Sequence, residues 1–412
     1  MRIRRRLTPL QPTPRNRRRI EARVKWLGLM VRYAFRPVVR TTFGPRELLR
    51  EPALVVSNHS SLLDPMFLSL AVGRAVHFLS TELAFSGGGM GWVNQFFGAV
   101  PKRKFTADPR AILRLRRWRD LGGSIGLFPE GERTWDGRPL PILPGVEKLV
   151  RVMDLPVVTV RVYNGWRQSP RWAATLRRGR VHVEADPPRR FAPGDSLESI
   201  RRYIEERISV DAEDGPSWPV RGRRLAAGIG NVLFACPACL RLDAVEERGN
   251  LISCRSCSAA WRVDTESRLH SATGGEPMTL RAAADRIRDR FPEPWLPAGG
   301  ALPAGELLRS ESVRLYDVTD PDPLLVGRGH LVLTADVLRV SGITPWSIPM
   351  ADIRAEAVDL KRRLNFSSRR RVYEVVMPRE SVIKWELFLR HVRTRTSAPT
   401  GDLRARRRIG GG

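Results

Sequence analysis

Between Ala53 and about Arg207, two kinds of apolar pattern alternate along the chain. Short runs at Ala53–Val56, Ala75–Leu79, Ser124–Phe128, Pro156–Val162 and Arg180–Glu184 have the length of strands. Leu62–Val72, Pro109–Leu121, Gly145–Arg151 and Leu197–Arg207 predict helices. Such alternation predicts an α/β domain. The acidic, proline-bearing stretch Asp211–Pro219 reads as the linker that closes it.

Upstream, Ile20, Val24, Leu27, Val31 and Ala34 recur at helical spacing, and Trp26, Met30, Tyr33 and Phe35 widen that face. Arg19, Arg23, Lys25, Arg32 and Arg36 flank it, so Arg19–Phe35 predicts a basic amphipathic helix ending before Pro37. Two readings of that helix stay open: packing on its own domain, or lying on a membrane surface. From about Glu311 the pattern turns to β. Ser312–Val318, His330–Thr334, Val337–Val340, Trp346–Ile348, Asp352–Leu360 and Val372–Met377 predict short strands. Ser381–Val392 then predicts one amphipathic helix, which together suggests a small barrel or sandwich.

Charge sharpens this picture. The 412-residue chain carries a net +28, yet residues 1–50 alone hold 15 Arg or Lys against Glu21 and Glu47. A basic block this local points to an anionic surface, either nucleic acid or lipid head groups. With 42% hydrophobic residues the chain has enough apolar content for packed cores, which excludes a disordered protein. No run of about 18 apolar residues predicts a transmembrane helix. The N-terminus lacks the apolar region of a signal peptide, and Pro9, Pro12 and Pro14 spoil an organelle presequence.

Three motifs carry candidate chemistry. In Asn58-His59-Ser60-Ser61-Leu62-Leu63-Asp64, a histidine at a strand end precedes an aspartate by five residues. A carboxylate that accepts the imidazole N–H would fix its tautomer and stabilise the imidazolium formed when the ring takes a proton. On a straight helix five residues turn about 500°, leaving the side chains about 140° apart. His59 and Asp64 therefore meet only if His59 sits in the turn before the helix. Gly98-Ala99-Val100-Pro101-Lys102-Arg103 predicts a turn with a basic tip. Phe128-Pro129-Glu130-Gly131-Glu132-Arg133 predicts a turn that holds Glu and Arg at its end, where an Arg can grip a phosphate or carboxylate. Each alone is as compatible with an incidental histidine or a solvated surface turn.

Their order and spacing, followed by the strand that starts at Leu155-Pro156-Val157, resemble the glycerolipid acyltransferase family, whose typical members are 1-acylglycerol-3-phosphate acyltransferases. The resemblance covers roughly residues 45–210. It implies that His59 is the general base for an acceptor hydroxyl and that Asp64 orients and charge-stabilises it. It implies that Arg103, Glu130, Gly131 and Arg133 hold the acceptor, a lyso-lipid such as 1-acylglycerol 3-phosphate. The acyl donor would be an acyl thioester, acyl-CoA or acyl-ACP, and transfer would be direct. The absence of any cysteine from this stretch agrees with that. Two positions depart from the family pattern: Glu132 stands where Thr or Ser is usual, and Thr134 where Ser is common. A carboxylate at position 132 repels a dianion unless it points away or pairs with an Arg. A non-catalytic scaffold that binds anionic lipid or nucleic acid is the alternative, with Glu132 as its sequence support.

All four cysteines fall in one window. Cys236-Pro-Ala-Cys239, fourteen residues, then Cys254-Arg-Ser-Cys257 is the spacing of a zinc ribbon with a structural, four-thiolate ion. It implies a reducing compartment. The intervening loop carries Asp243, Glu246 and Glu247 against Arg241 and Arg248, a net −1 that argues against nucleic acid.

The expected architecture is therefore an α/β acyltransferase domain with a mixed central sheet, a small zinc ribbon and a small β-rich PH-like domain. The expected boundaries are a basic arm and amphipathic helix at 1–44 and the acyltransferase domain at 45–215. A zinc ribbon at 232–263 and a linker with a helix at 264–310 follow. A PH/GRAM-like domain at 311–394 and a disordered basic tail at 395–412 complete the chain. The segment Lys361–Arg371 sets six cations about Phe366, expected to be exposed, which suits an anionic membrane surface. The expected location is cytoplasmic, peripheral on the inner face of the plasma membrane, with no nucleic acid as partner.

Overall fold

The computed structural model describes residues 8–33, 39–44, 49–85, 89–103, 105, 108–296, 305–320, 322–359, 362–369, 371–378 and 380–396. Parts of the expected arm and helix (1–7 and 34–36), Lys361, Arg370 and most of the basic tail lie outside the described residues. Two units separate, Met1–Ile229 with Glu246–Ala284, and Gly230–Val245 with Asp285–Gly412.

The first unit is built on a seven-stranded sheet. Its strands are β1 (Val39–Phe43), β2 (Leu54–Ser57), β3 (Val76–Thr81), β4 (Val100–Lys102), β5 (Ser124–Leu127), β6 (Val157–Tyr163) and β7 (Gly179–Ala185). They lie in the order β1-β7-β6-β2-β5-β3-β4. Strands β6, β2, β5, β3 and β4 are parallel, whereas β6 and β7 are antiparallel, so the sheet is mixed. Every residue of β2 and β5 is buried, which is why both read as continuous apolar runs.

Alternate residues along the strands feed two cores. Leu54, Val56, Ile125, Leu127 and Val157 meet Ile20 and Val24 of α1 (Pro14–Tyr33). The same core takes Ala111, Leu115 and Trp118 of α4 (Pro109–Asp120), Val146 and Val150 of α5 (Val146–Met153), and Ile200 and Ile204 of α7 (Leu197–Ile208). On the other face, Val55, Val76, Phe78, Val158 and Val160 meet Phe67, Leu68, Ala71 and Val72 of α2 (Asp64–Val72). Two short helices, α3 (Gly89–Phe96) and α6 (Gly165–Gln168), complete this layer order. Helix starts follow local chemistry. The Asp108 side chain accepts from the Ala111 amide at α4, and Ser196 accepts from the Ser199 amide at α7. Gly73, at φ 67°, ends α2.

Three expectations need correction. Helix α1 starts at Pro14, five residues early, because proline is tolerated in a first helical turn. Strand β1 went unread, since it is an edge strand that pairs only with the distant β7. The Asp211–Pro219 stretch is no free linker. The Ala212 amide donates to the Gly137 carbonyl, and the Trp218 carbonyl accepts from Asn164 Nδ2.

After the sheet domain, β8 (Val245–Arg248), β9 (Leu251–Cys254), β10 (Ala260–Val263), β11 (Arg268–Ser271) and β12 (Met278–Thr279) form a small sheet in the order β12-β11-β10-β9-β8. Helix α8 (Leu280–Arg288) follows it.

The second unit is dominated by β13 (Leu308–Arg309), β14 (Val313–Asp317), β15 (Leu324–Leu333), β16 (Val337–Thr344) and β17 (Trp346–Pro349), with β18 (Ile353–Asp359), β19 (Arg363–Ser368) and β20 (Arg371–Val376). Antiparallel neighbours run β17-β16-β15-β14-β20-β19-β18, and α9 (Val382–Thr396) closes the chain. Trp385, Phe388, Leu389 and Val392 of α9 are buried, as the helical spacing predicts. Lys384, on the same helix, is also buried, with Nζ 2.6 Å from Asp243 and 3.1 Å from Glu380.

The basic segment 361–371 departs from expectation. It contains β19, and Phe366 is buried against Tyr373 and Trp346, with ring centroids 5.2 and 6.0 Å away. Charges at both ends of β19 masked its alternation. Phe366→Ala should therefore lower the unfolding free energy by about 3–5 kcal/mol in denaturant titration of the full chain. A loss below about 0.5 kcal/mol would return Phe366 to the surface.

Candidate active site

The carboxyl ends of the parallel strands β2, β5, β3, β4 and β6 share one edge of the sheet, and every motif emerges there. This edge is where open α/β sheets bind ligands.

At the end of β2, Asn58 takes over the role of a strand backbone. Its Nδ2 donates to the Val162 carbonyl at 3.1 Å, and its Oδ1 accepts from the Val162 amide at 2.9 Å. Helix α2 begins at Asp64 rather than Leu62, which leaves His59–Leu63 as a turn. Asp64 Oδ2 closes that turn, accepting from the Ser60 and Ser61 amides at 2.7 and 2.8 Å. The same oxygen lies 2.8 Å from His59 Nδ1. The 140° separation of a straight helix never arises.

His59 is flanked by the third motif. Its ring stacks on Phe128 with centroids 4.0 Å apart, and its carbonyl accepts from the Thr134 amide. Its side chain is 20% exposed, enough to present the far nitrogen to a ligand. Burial lowers the imidazole pKa below its ordinary 6.5; the Asp64 hydrogen bond and charge oppose that, while Arg133 and Arg171 add to it. The ring is thus neutral at pH 7, with Nδ1–H directed to Asp64 and Nε2 able to accept a proton.

Gly131 has φ 74°, a left-handed backbone conformation that favours glycine. Its neighbour Glu130 is buried. Burial raises its pKa to about 9, opposed by a hydrogen bond with the His59 backbone and aided by Asp64 and Glu132. Glu130 is a neutral donor at pH 7. Arg133 is half-buried, and among the described residues its guanidinium makes no hydrogen bond or ion pair. Burial, then the Arg171 charge, lowers its pKa to about 10, which leaves it cationic at pH 7. An unpartnered half-buried cation is a receptor for an anion.

Arg103 stands apart from this cluster. It is exposed at the end of β4, with Nε 3.5 Å from Glu82 Oε1. Strand β4 lies three places from β2, about 14 Å away along the sheet edge.

Sequence reading missed Arg171. It lies beyond α6, where neither periodicity nor motif marks it. Its Nη1 reaches Glu132 Oε2 at 2.5 Å and the Arg133 carbonyl at 2.9 Å, and its guanidinium covers the Trp135 ring at 4.3 Å. It also missed a small cleft beside His59, lined among others by Ser60, Thr134, Asn164, Trp166 and Asp211. Asp211 is held there by Arg281, at 2.5 and 2.8 Å.

The four cysteine sulfurs lie within 4.8 Å of one another. The Ala238 amide donates to Cys236 Sγ and the Ser256 amide to Cys254 Sγ, at 3.4 and 3.3 Å. Two knuckles that aim amides at sulfur fit thiolates around one metal ion.

Residues 39–163 match the family model described as Acyltransferase. That segment is similar to acyltransferases, the class the order of its motifs resembles. Among curated proteins, the chloroplastic 1-acyl-sn-glycerol-3-phosphate acyltransferases BAT2 of Brassica napus and LPAT1 of Arabidopsis thaliana are each 30% identical over 165 residues. Each alignment covers 39% of this chain, with 47% of the first relative and 46% of the second. The chain therefore spans about half the length of these relatives. Among solved structures, the 1-acyl-sn-glycerophosphate acyltransferase PlsC of Thermotoga maritima matches at 23% identity and a TM-score of 0.38, over 45% of this chain and 76% of that one.

The Glu130 environment has a measurable consequence. Its folded pKa lies above its unfolded value, so ionisation of the unfolded chain draws stability away as pH rises from about 4.5 towards about 9. Glu130→Gln, which fixes the neutral form, should flatten that slope in urea titrations across this range. An unchanged slope would place the charge elsewhere.

Proposed function

We propose that the chain is an O-acyltransferase that moves a fatty acyl group from an acyl thioester to the hydroxyl of a lyso-lipid. The observation that carries this reading is the His59–Asp64 pair, 2.8 Å apart, facing an unpartnered Arg133. The names of the Brassica and Arabidopsis relatives give the acceptor as 1-acyl-sn-glycerol 3-phosphate.

In this mechanism neutral His59 takes the acceptor's hydroxyl proton on Nε2 as the oxygen attacks the thioester carbonyl. Asp64 holds Nδ1–H and stabilises the imidazolium. The tetrahedral intermediate collapses, the C–S bond breaks, and His59 returns the proton to the departing thiolate. Arg133 holds the acceptor's anionic group, and neutral Glu130 donates a hydrogen bond beside it. Gly131 keeps the turn in shape. Arg103, three strands away, is placed for a more distant part of the donor or acceptor. The donor is acyl-CoA or acyl-ACP. Glu132 lends no support to a non-catalytic scaffold, because its charge is met by Arg171.

Peripheral attachment at the inner face of the plasma membrane is part of this reading. No helix of the described residues is long and apolar enough to cross a membrane. The inner stripe of α1 packs on the sheet, while Trp26 and Tyr33 on its outer side are 57% and 71% exposed. Such a stripe among arginines suits an anionic bilayer. The antiparallel strands and closing helix of the second unit support a PH/GRAM-like domain. The cysteine cluster supports a structural zinc ribbon.

Acyl transfer to a panel of lyso-lipids tests the reading. His59→Ala should cost roughly 10²–10⁴ in kcat/KM. The acidic limb of the wild-type pH profile should fall below 6.5, since protonated His59 cannot act as base and its pKa is lowered. Equal activity in the variant would overturn the mechanism.

Metal analysis tests the ribbon separately. One zinc per chain is expected, lost with thermal stability on chelation. Metal-free protein of unchanged stability would remove the assignment.

A further inference from the structure

Glu132 and the cleft beside His59 together bear on the identity of the acceptor, an inference that rests on the acyl-transfer reading. We propose that the preferred acceptor is a monoanionic lyso-phosphodiester with a polyhydroxyl head group, selected by the Glu132–Arg171 pair and by the hydroxyl-reading atoms of Ser60 and Asn164.

The first observation is charge. Arg171 is committed to Glu132, to the Arg133 carbonyl and to the Trp135 ring. Glu132 and Arg171 thus cancel, and Arg133 supplies one positive charge to the ligand. A phosphomonoester carries about −1.5 to −2 at pH 7. Its excess charge would sit beside Glu132 and Asp64, and the other cation of the cleft, Arg138, already lies 3.6 Å from the Asp136 carboxylate. A phosphodiester carries a single negative charge, which Arg133 matches.

The second observation is independent of the first. Ser60 and Asn164 line the cleft, and Ser60 Oγ and Asn164 Oδ1 are buried with no hydrogen-bond partner. Ser60 is 6% exposed and Asn164 5% exposed. Asn164 Nδ2 is already engaged by the Arg180 and Trp218 carbonyls, at 2.7 and 2.9 Å, which leaves Oδ1 as a buried acceptor. Buried acceptors without donors favour a ligand rich in hydroxyls. The Trp166 indole supplies an apolar wall for the carbon face of such a group. A monoester acceptor ends at its phosphate, which can accept from the Ser60 hydroxyl but offers Asn164 Oδ1 no donor. The second alcohol of a diester, glycerol or a sugar, supplies one.

The test uses the full-length protein with one acyl thioester donor and three acceptors in matched micelles: lysophosphatidate, lysophosphatidylglycerol and lysophosphatidylcholine. Expected is a kcat/KM for lysophosphatidylglycerol about tenfold or more above the other two. Glu132→Thr, which frees Arg171, should narrow the gap to lysophosphatidate about tenfold through KM. Ser60→Ala removes one acceptor without breaking a bond, and should lower turnover of lysophosphatidylglycerol more than that of lysophosphatidate. Melting temperatures identify any variant that merely misfolds, and Ser60→Thr, which keeps the hydroxyl, then serves in place of Ser60→Ala by restoring the preference. A wild-type preference for lysophosphatidate or for the choline ester overturns the proposal, as does a ratio that Glu132→Thr leaves unmoved. Failure to acylate any of the three would instead sink the acyl-transfer reading itself.

Discussion

Asp64 Oδ2 accepts three hydrogen bonds at 2.7–2.8 Å, from the Ser60 and Ser61 amides and from His59 Nδ1. The side chain is fully buried at the first residue of α2. One oxygen thereby does two jobs. It closes the turn that delays the helix, and it fixes the ring that the turn carries. If α2 began two residues earlier, the histidine would rotate away from the carboxylate. Placement of the imidazole is thus a consequence of how a helix is started, and the Asp64-Pro65 sequence is suited to a first helical turn.

Electrostatic balance around that oxygen follows from burial. Three groups of opposite kinds are held in the forms the chemistry calls for: His59 neutral, Glu130 neutral and Arg133 cationic. Desolvation drives all three in the direction of the uncharged form, and of the three only Arg133, lowered to about 10, stays charged at neutral pH. Environments that hold neighbouring groups in different states are a mark of acid–base sites. The Glu132–Arg171 pair keeps an extra carboxylate from upsetting this balance.

Much of the sheet domain was legible because its strands are short, apolar and bracketed by turns. Ala53–Val56, Ser124–Phe128 and Pro156–Val162 each matched an observed strand to within a residue or two at each end. The His59–Asp64 contact was legible as a condition, that the histidine precede the helix. Contacts between residues far apart in sequence were not legible. Arg171 meets Glu132 across 39 positions, and Arg281 meets Asp211 across 70. No local period encodes such pairs. In β19 the failure was of another kind: Leu364 and Phe366 do alternate, but Arg362, Arg363 and Arg369 drew the reading towards an exposed, membrane-facing segment. Tertiary burial overrode composition there.

The central claim is that His59 is a neutral base at pH 7, with its proton on Nδ1 and held by Asp64. Nitrogen-15 chemical shifts of the His59 ring in the full-length protein test it most directly. The account predicts a protonated Nδ1 and a bare Nε2 at pH 7. An imidazolium, or a neutral ring with the proton on Nε2, would contradict it.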